Sequence, residues 1–155
     1  MGKKELFEGL KIMQLETEWV KRPVIRLDMS QAGAEPESIQ SYLDYTFQEY
    51  ESLYELEVTN DPSLATRLSE IVRIAYKQTG QQVVILIDEY DSPLQRSWKT
   101  PLYEKCTAIY RDVFAILKSM DKFENFIFIT ACTKFSQFSL TSGLNNLSFI
   151  GFDSE

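Results

Sequence analysis

Asp88 and Glu89 carry the clearest chemistry in this chain, because they close the apolar run Val83-Val84-Ile85-Leu86-Ile87 and are followed by Tyr90 and Asp91. A run of that length and composition reads as a strand buried on both faces. In open parallel sheets the carboxyl ends of such strands are where ligands bind. Two neighbouring carboxylates at that position suit phosphoryl transfer to water. Asp88 would hold Mg²⁺, usually through a water molecule, and Glu89 would position or deprotonate the water that attacks a terminal phosphate. The same chemistry needs a phosphate-cradling loop, and no G-x-x-x-x-G-K-[ST] occurs: the only Gly-Lys pair, Gly2-Lys3, precedes Lys4 and has no glycine loop before it. The chain thus carries half of an active site. The plainer reading is two acids solvated at a strand end. A metal-dependent hydrolase using Asp88, Glu89 and Asp91 directly has least behind it, since three acids in one short strand and turn do not by themselves converge on one ion.

The elements that must position this pair are legible from punctuation and periodicity. Pro23-Val24-Ile25-Arg26-Leu27-Asp28-Met29 reads as a strand, with the loop Ser30 to Glu35 after it. Ile39, Leu43, Phe47, Tyr50 and Tyr54 mark one face of a helix opened near Pro36. A second helix has Asp61 as its N-cap, Pro62 in its first turn, Leu64, Leu68, Ile71 and Ala75 on one face, and Gly80 as its stop. It leads into the strand that ends at Asp88. Asp91-Ser92-Pro93-Leu94 reads as a turn and Gln95 to Thr100 as a mobile segment. Pro101 then opens a helix with Leu102, Cys106, Ile109, Val113, Leu117 and Met120 on one stripe. Phe126-Ile127-Phe128-Ile129-Thr130 is the next strand, again apolar on both faces. Strand, helix, strand at this spacing is a parallel crossover. Upstream, Leu6, Leu10 and Met13 have helical spacing and read as the tail of a longer helix.

Composition narrows the classes further. With 155 residues, 44% of them hydrophobic, the chain can pack one core. A formal charge of −7 argues against nucleic-acid binding by this piece, because phosphate neutralisation needs clustered Lys and Arg. Histidine is absent, and Cys106 and Cys132 lie far apart, which excludes His-based triads and zinc fingers. Both cysteines fall in apolar patterns and read as buried, inert thiols. No apolar run is long enough to cross a bilayer and no signal segment is present, so a cytoplasmic protein without a membrane partner is expected.

Several blocks of the chain resemble the bacterial AAA-ATPase-like proteins, whose members commonly carry a PD-(D/E)xK nuclease-like region. They are Lys4 to Leu10, Pro23 to Ser30, Leu86 to Leu94, Thr133-Lys134-Phe135-Ser136 and Ser142 to Ser148. The resemblance implies an α/β fold: three layers, with a mainly parallel sheet flanked by helices, as a truncated P-loop NTPase-like core. Residues 1–155 would be a single partial domain whose central strand and phosphate loop (Walker A) lie upstream. Asp88 and Glu89 then resemble the Walker B pair, Asp88 binding Mg²⁺ and nucleotide and Glu89 acting in catalysis. Thr130 resembles a sensor residue that contacts the γ-phosphate or the attacking water. Lys134 is a second phosphate contact by charge alone. Ala131-Cys132 departs from the Gly-Val usual in the family.

In the intact parent the implied cofactors are ATP and Mg²⁺, with none expected bound to this chain, which would be inactive alone. The implied strand order places Phe126 to Thr130 beside the acidic strand, with Val24 to Met29 beyond it. Loss of the central strand would bare the backbone of Phe126 to Thr130, which predicts pairing with Leu147 to Phe152 or self-association through the exposed edge. Nucleic acid would be reached only through regions outside this chain. The alternative function is a non-enzymatic protein-interaction module that keeps the fold without the nucleotide. Thr130 as a satisfied strand-end hydroxyl, Lys134 as a surface lysine and Asp91 as a turn cap are the corresponding structural readings.

Overall fold

The structure, a computed structural model, describes residues 3–56 and 63–132. Three strands, β1 (Val24–Asp28), β2 (Val83–Asp88) and β3 (Glu124–Ile129), form a parallel sheet in the order β1-β2-β3. This is the strand order expected from the sequence. A one-turn helix, α1 (Ile12–Leu15), precedes β1. The first crossover holds α2 (Pro36–Leu53) and α3 (Leu64–Thr79); the second holds α4 (Ser92–Ser97), α5 (Tyr103–Phe114) and a 3-10 turn, Ala115–Ser119. Among the described residues no helix is long and apolar enough to cross a membrane.

Helix α2 starts at Pro36 and buries Ile39, Leu43 and Phe47 completely, the four-residue repeat of one helical face. Helix α3 buries Leu68, Ile71, Val72 and Ala75, and stops at Gly80, whose φ of 65° is the left-handed geometry of a helix C-cap. Its N-cap is Ser63, whose hydroxyl accepts from the Thr66 amide at 3.2 Å. The cap is therefore two residues later than the expected Asp61, which lies with Pro62 outside the described residues. Helix α4 takes in most of the expected turn Asp91 to Leu94 and the first half of the expected mobile segment, Gln95 to Ser97, because Leu94 and Ser97 are buried and Arg96 is tied down. Upstream of β1 the expected helix is replaced by a 3-10 turn, Lys4–Phe7, and by α1, with Leu6 and Leu10 exposed. The spacing of those leucines reports no core contact among the described residues.

One ion cluster pins α2 to α3. The Arg67 guanidinium donates to both oxygens of Glu51, at 2.6 and 2.8 Å, and also to the Asp44 carboxylate. Arg67 and Glu51 are both buried. Removing one partner of such a pair strands the other charge away from water, which is costlier than replacing both.

Only one face of the sheet is covered among the described residues. Ile25, Leu27, Val83, Ile85 and Ile87 point into the helices, whereas Val24, Phe126 and Phe128 on the other face are 46%, 52% and 44% exposed. The cover expected on the second face is not supplied by the described residues. Two crossovers of the same hand that step across the sheet in the same direction leave their helices on the same side. The two outer edges also differ. On β1, the Arg26 and Asp28 amides donate to the Tyr50 and Tyr42 hydroxyls, each at 2.7 Å, so α2 closes that edge. On β3, no strand or tyrosine covers the outer edge among the described residues. The segment Leu147 to Phe152, expected as one occupant of that edge, lies outside them.

At the amino end of β3, burial and the nearby Asp121 carboxylate push the Glu124 carboxyl up to about 7, and its Oε2 has no hydrogen-bond partner among the described residues. A folded-state value above the ordinary 4.5 means that the folded chain holds this proton more tightly. The stability it contributes is present below 4.5 and is lost as pH rises through about 7. Thermal melts across this window should show the native chain losing more stability than Glu124→Gln, and parallel profiles would contradict the assignment. In urea denaturation, Arg67→Ala should cost roughly 3–5 kcal/mol, and a change below about 1 kcal/mol would mean that the cluster is solvated.

Candidate functional site

The parallel register sets Asp28 level with Asp88 and Ile87 level with Ile129, so the next residue of the third strand, Thr130, falls beside Asp88. Three polar side chains thus end three adjacent strands on the uncovered face. Asp88 accepts from the Thr130 hydroxyl at 2.6 Å through Oδ1 and from the Arg26 guanidinium at 3.1 Å through Oδ2. The Thr130 hydrogen bond and then the Arg26 contacts hold its carboxyl below the usual carboxylate range. Asp28 accepts from the Ser30 hydroxyl at 2.6 Å, the Gln31 amide nitrogen at 3.0 Å and the Ser30 backbone amide at 3.2 Å. Those donors, Ser30 and then Gln31, lower its carboxyl as well. Both aspartates are therefore ionised at neutral pH.

Thr130 also ties the strand ends together. Its oxygen accepts from the Glu89 amide at 3.0 Å, its carbonyl accepts from the Tyr90 amide at 3.0 Å, and its own amide donates to Ile87 at 2.9 Å. A hydroxyl has one proton, and Thr130 donates it to Asp88. In this arrangement the hydroxyl orients Asp88 and Glu89, and donation to a phosphate would require it to rotate.

Glu89 is exposed and has a φ of 46°, in the left-handed region that favours glycine. Such a conformation costs about 1–2 kcal/mol for a residue with a side chain. The residues on either side show what enforces it. Tyr90 is buried against Tyr110 and Phe114, with ring centroids 5.2 and 5.4 Å away. Asp91 is buried, accepting from the Cys132 amide at 3.0 Å and from the Gln95 side chain. The chain must turn between Asp88 on the open face and Tyr90 in the core, and Glu89 is the residue that turns.

Asp91 is thus a buried residue that ties the start of α4 to the chain after β3. Among the described residues no three His, Cys, Asp or Glu side chains gather around one point, so the hydrolase using Asp88, Glu89 and Asp91 together has no geometric support. Asp88 and Asp28 are carboxylates on neighbouring strand ends, the ligand type of Mg²⁺, which is commonly held by one or two carboxylates plus water and substrate phosphates. Lys134 lies outside the described residues. Cys106 is buried as expected, but Cys132 is exposed, because β3 has ended and nothing described covers it.

Arg26, Asp28 and Arg96 were not singled out by sequence reasoning. Asp28 could have been found, because it ends an apolar alternating strand as Asp88 does. The reach of Arg26 across to β2 depends on register. Arg96 donates to the Ala32 and Ser30 carbonyls at 2.7 and 2.9 Å, fastening α4 to the loop that holds Asp28.

A parallel α/β sheet with an Asp-Glu pair and a neighbouring hydroxyl at its carboxyl end defines the class of architecture. The chain belongs to the AAA-ATPase-like family, described as "Predicted AAA-ATPase", whose model matches residues 1–141. It is similar to the "Uncharacterized protein in vnfD 5'region" of Azotobacter chroococcum mcd 1, 29% identical over 156 residues, which cover 99% of this chain and 30% of that relative. The chain therefore spans less than a third of the length of this curated relative. No solved structure matches it.

Thr130→Val removes the donor that most lowers the Asp88 carboxyl. Carboxyl-carbon NMR titration should show the Asp88 midpoint moving upward toward the ordinary value, with Thr130→Ser retaining the native midpoint. An unmoved midpoint in Thr130→Val would show that the hydroxyl does not hold Asp88 in solution.

Proposed function

We propose that this chain is the acidic-strand part of a P-loop ATPase that binds and hydrolyses Mg-ATP in a longer parent protein, and that it is inactive alone. The observation carrying this reading is the junction at which the Thr130 hydroxyl joins the Asp88 carboxylate to the Glu89 amide. Asp88 holds the cation and its bound water, while Glu89 orients or deprotonates the attacking water. Thr130 keeps both at one strand end, and Lys134 is assigned a phosphate contact by charge. Bound magnesium would supply neutralisation of the charge that develops on the transferred phosphoryl group. The phosphate loop and its lysine are assigned to upstream chain, and any nucleic-acid contact to regions elsewhere in the parent. A cytoplasmic location accords with this activity.

In the longer parent, Glu89→Gln should reduce ATP turnover by about 10²-fold or more while ATP binding persists; turnover at the native rate would overturn the reading. Calorimetry of the 155-residue chain with Mg-ATP should show no binding. Heat of binding that vanishes in Asp88→Ala would overturn the assignment of the nucleotide site to upstream sequence.

A second reading, a non-enzymatic interaction module, is favoured by one observation: among the described residues the β1 edge is closed by tyrosine hydroxyls, while no strand pairs with the outer edge of β3 and Phe126 and Phe128 are exposed. Such an edge pairs with another strand, here from a second copy of the chain. Sedimentation velocity should then show concentration-dependent dimers, and a monomer throughout would remove this support.

A further inference from the structure

The contacts of Asp88 raise the question of why a carboxylate assigned to a cation already has a guanidinium on its outer oxygen. Arg26 sits on the open face of β1, two residues before Asp28, with Nη2 at 3.1 Å from Asp88 Oδ2 and 3.8 Å from Asp28 Oδ2. Its backbone is fixed: the amide donates to the Tyr50 hydroxyl at 2.7 Å, and that hydroxyl donates to the Arg26 carbonyl at 3.3 Å. The side chain is 58% exposed, so it can move while its anchor stays in place. The two aspartates depend on it unequally. Asp28 has Ser30 and Gln31 as further donors, whereas Arg26 is the partner the structure places on Asp88 Oδ2.

We propose that Arg26 is a tethered counter-cation of Asp88, occupying the carboxylate oxygen that a divalent cation takes and giving way when that cation arrives. The inference rests on the assignment of Asp88 to magnesium made above. Two carboxylates on neighbouring strands, which run about 4.8 Å apart, repel each other, and the guanidinium offsets that repulsion when no metal is bound. A dication at the same oxygen repels the guanidinium in turn and replaces it. Arg26 holds Asp88 Oδ2 in place while lowering its affinity for free cations, so the site favours a cation delivered together with phosphate oxygens over one from solution. Arg26 is in this sense a positioning and selectivity residue rather than a catalytic one.

The test uses the full 155-residue chain and Mn²⁺ alone, followed by paramagnetic broadening of the Asp88, Glu89 and Thr130 amide signals. Arg26→Gln should tighten Mn²⁺ binding at this strand end by roughly 3- to 10-fold, the scale expected from losing one nearby exposed charge. Arg26→Lys keeps the charge and should stay near the native affinity, and Asp88→Asn should abolish the local broadening. Equal affinity in the native chain and Arg26→Gln, no broadening in either, or broadening that survives Asp88→Asn would each overturn the proposal. Because ATP is absent, the titration is independent of turnover in the longer parent. Loss of the ATPase reading and loss of the Arg26 assignment are therefore separate outcomes.

Discussion

The parallel register between the three strands is the constraint on which the rest of this molecule depends, because it sets Asp28, Asp88 and Thr130 in one row. Side chains alternate across a strand, so a slip by one residue would turn Asp88 into the helices and bring Ile87 to the open face. What prevents the slip is the opposite set of side chains. Ile25, Leu27, Ile85 and Ile87 are all buried, with α2 packed on β1 and α3 on β2, and a one-residue slip that turned either strand over would bury Arg26 or Asp88. The apolar face therefore fixes the geometry of the polar one, although the two never touch.

From that row, the local geometry follows in sequence. Tyr90 must enter the aromatic cluster with Tyr110 and Phe114, and Asp91 must reach the Cys132 amide. Glu89 is left to make the reversal and takes a backbone conformation that a side chain disfavours. Thr130 stabilises the turn by accepting the Glu89 amide while orienting Asp88. The strain at Glu89 is thus supported from both strands, which is how uncommon backbone conformations persist at sites that use them.

The sheet is also asymmetric, and the asymmetry has a simple origin. Tyr42 and Tyr50 stand eight residues apart on α2, close to two helical turns, and so meet the alternate outward amides of β1. The second crossover carries no such pair to β3. Among the described residues one edge is sealed by side chains and the other presents backbone, with Phe126 and Phe128 stacked beside it on the face away from the helices.

Much of this was legible before any coordinates. The apolar strand closed by Asp88-Glu89, the two amphipathic helices before it, the Gly80 stop and the parallel crossover all appear in the pattern, because periodicity and punctuation are local properties. Local pattern misled where tertiary contact overrides it. Leu6 and Leu10 have helical spacing but no core to meet, the 95–100 segment looks like a loop but is held by Arg96, and the cap of α3 is Ser63. By itself the sequence determined the three strands, the two long helices before the acidic strand, the parallel crossovers and the identity of the acidic pair. Tertiary structure alone decided that Arg26 reaches Asp88 on the neighbouring strand, that Thr130 spends its proton on the same carboxylate, and that the described helices all lie on one face of the sheet. Each of these depends on the register and handedness of segments about 40 to 60 residues apart, which short-range patterns do not encode.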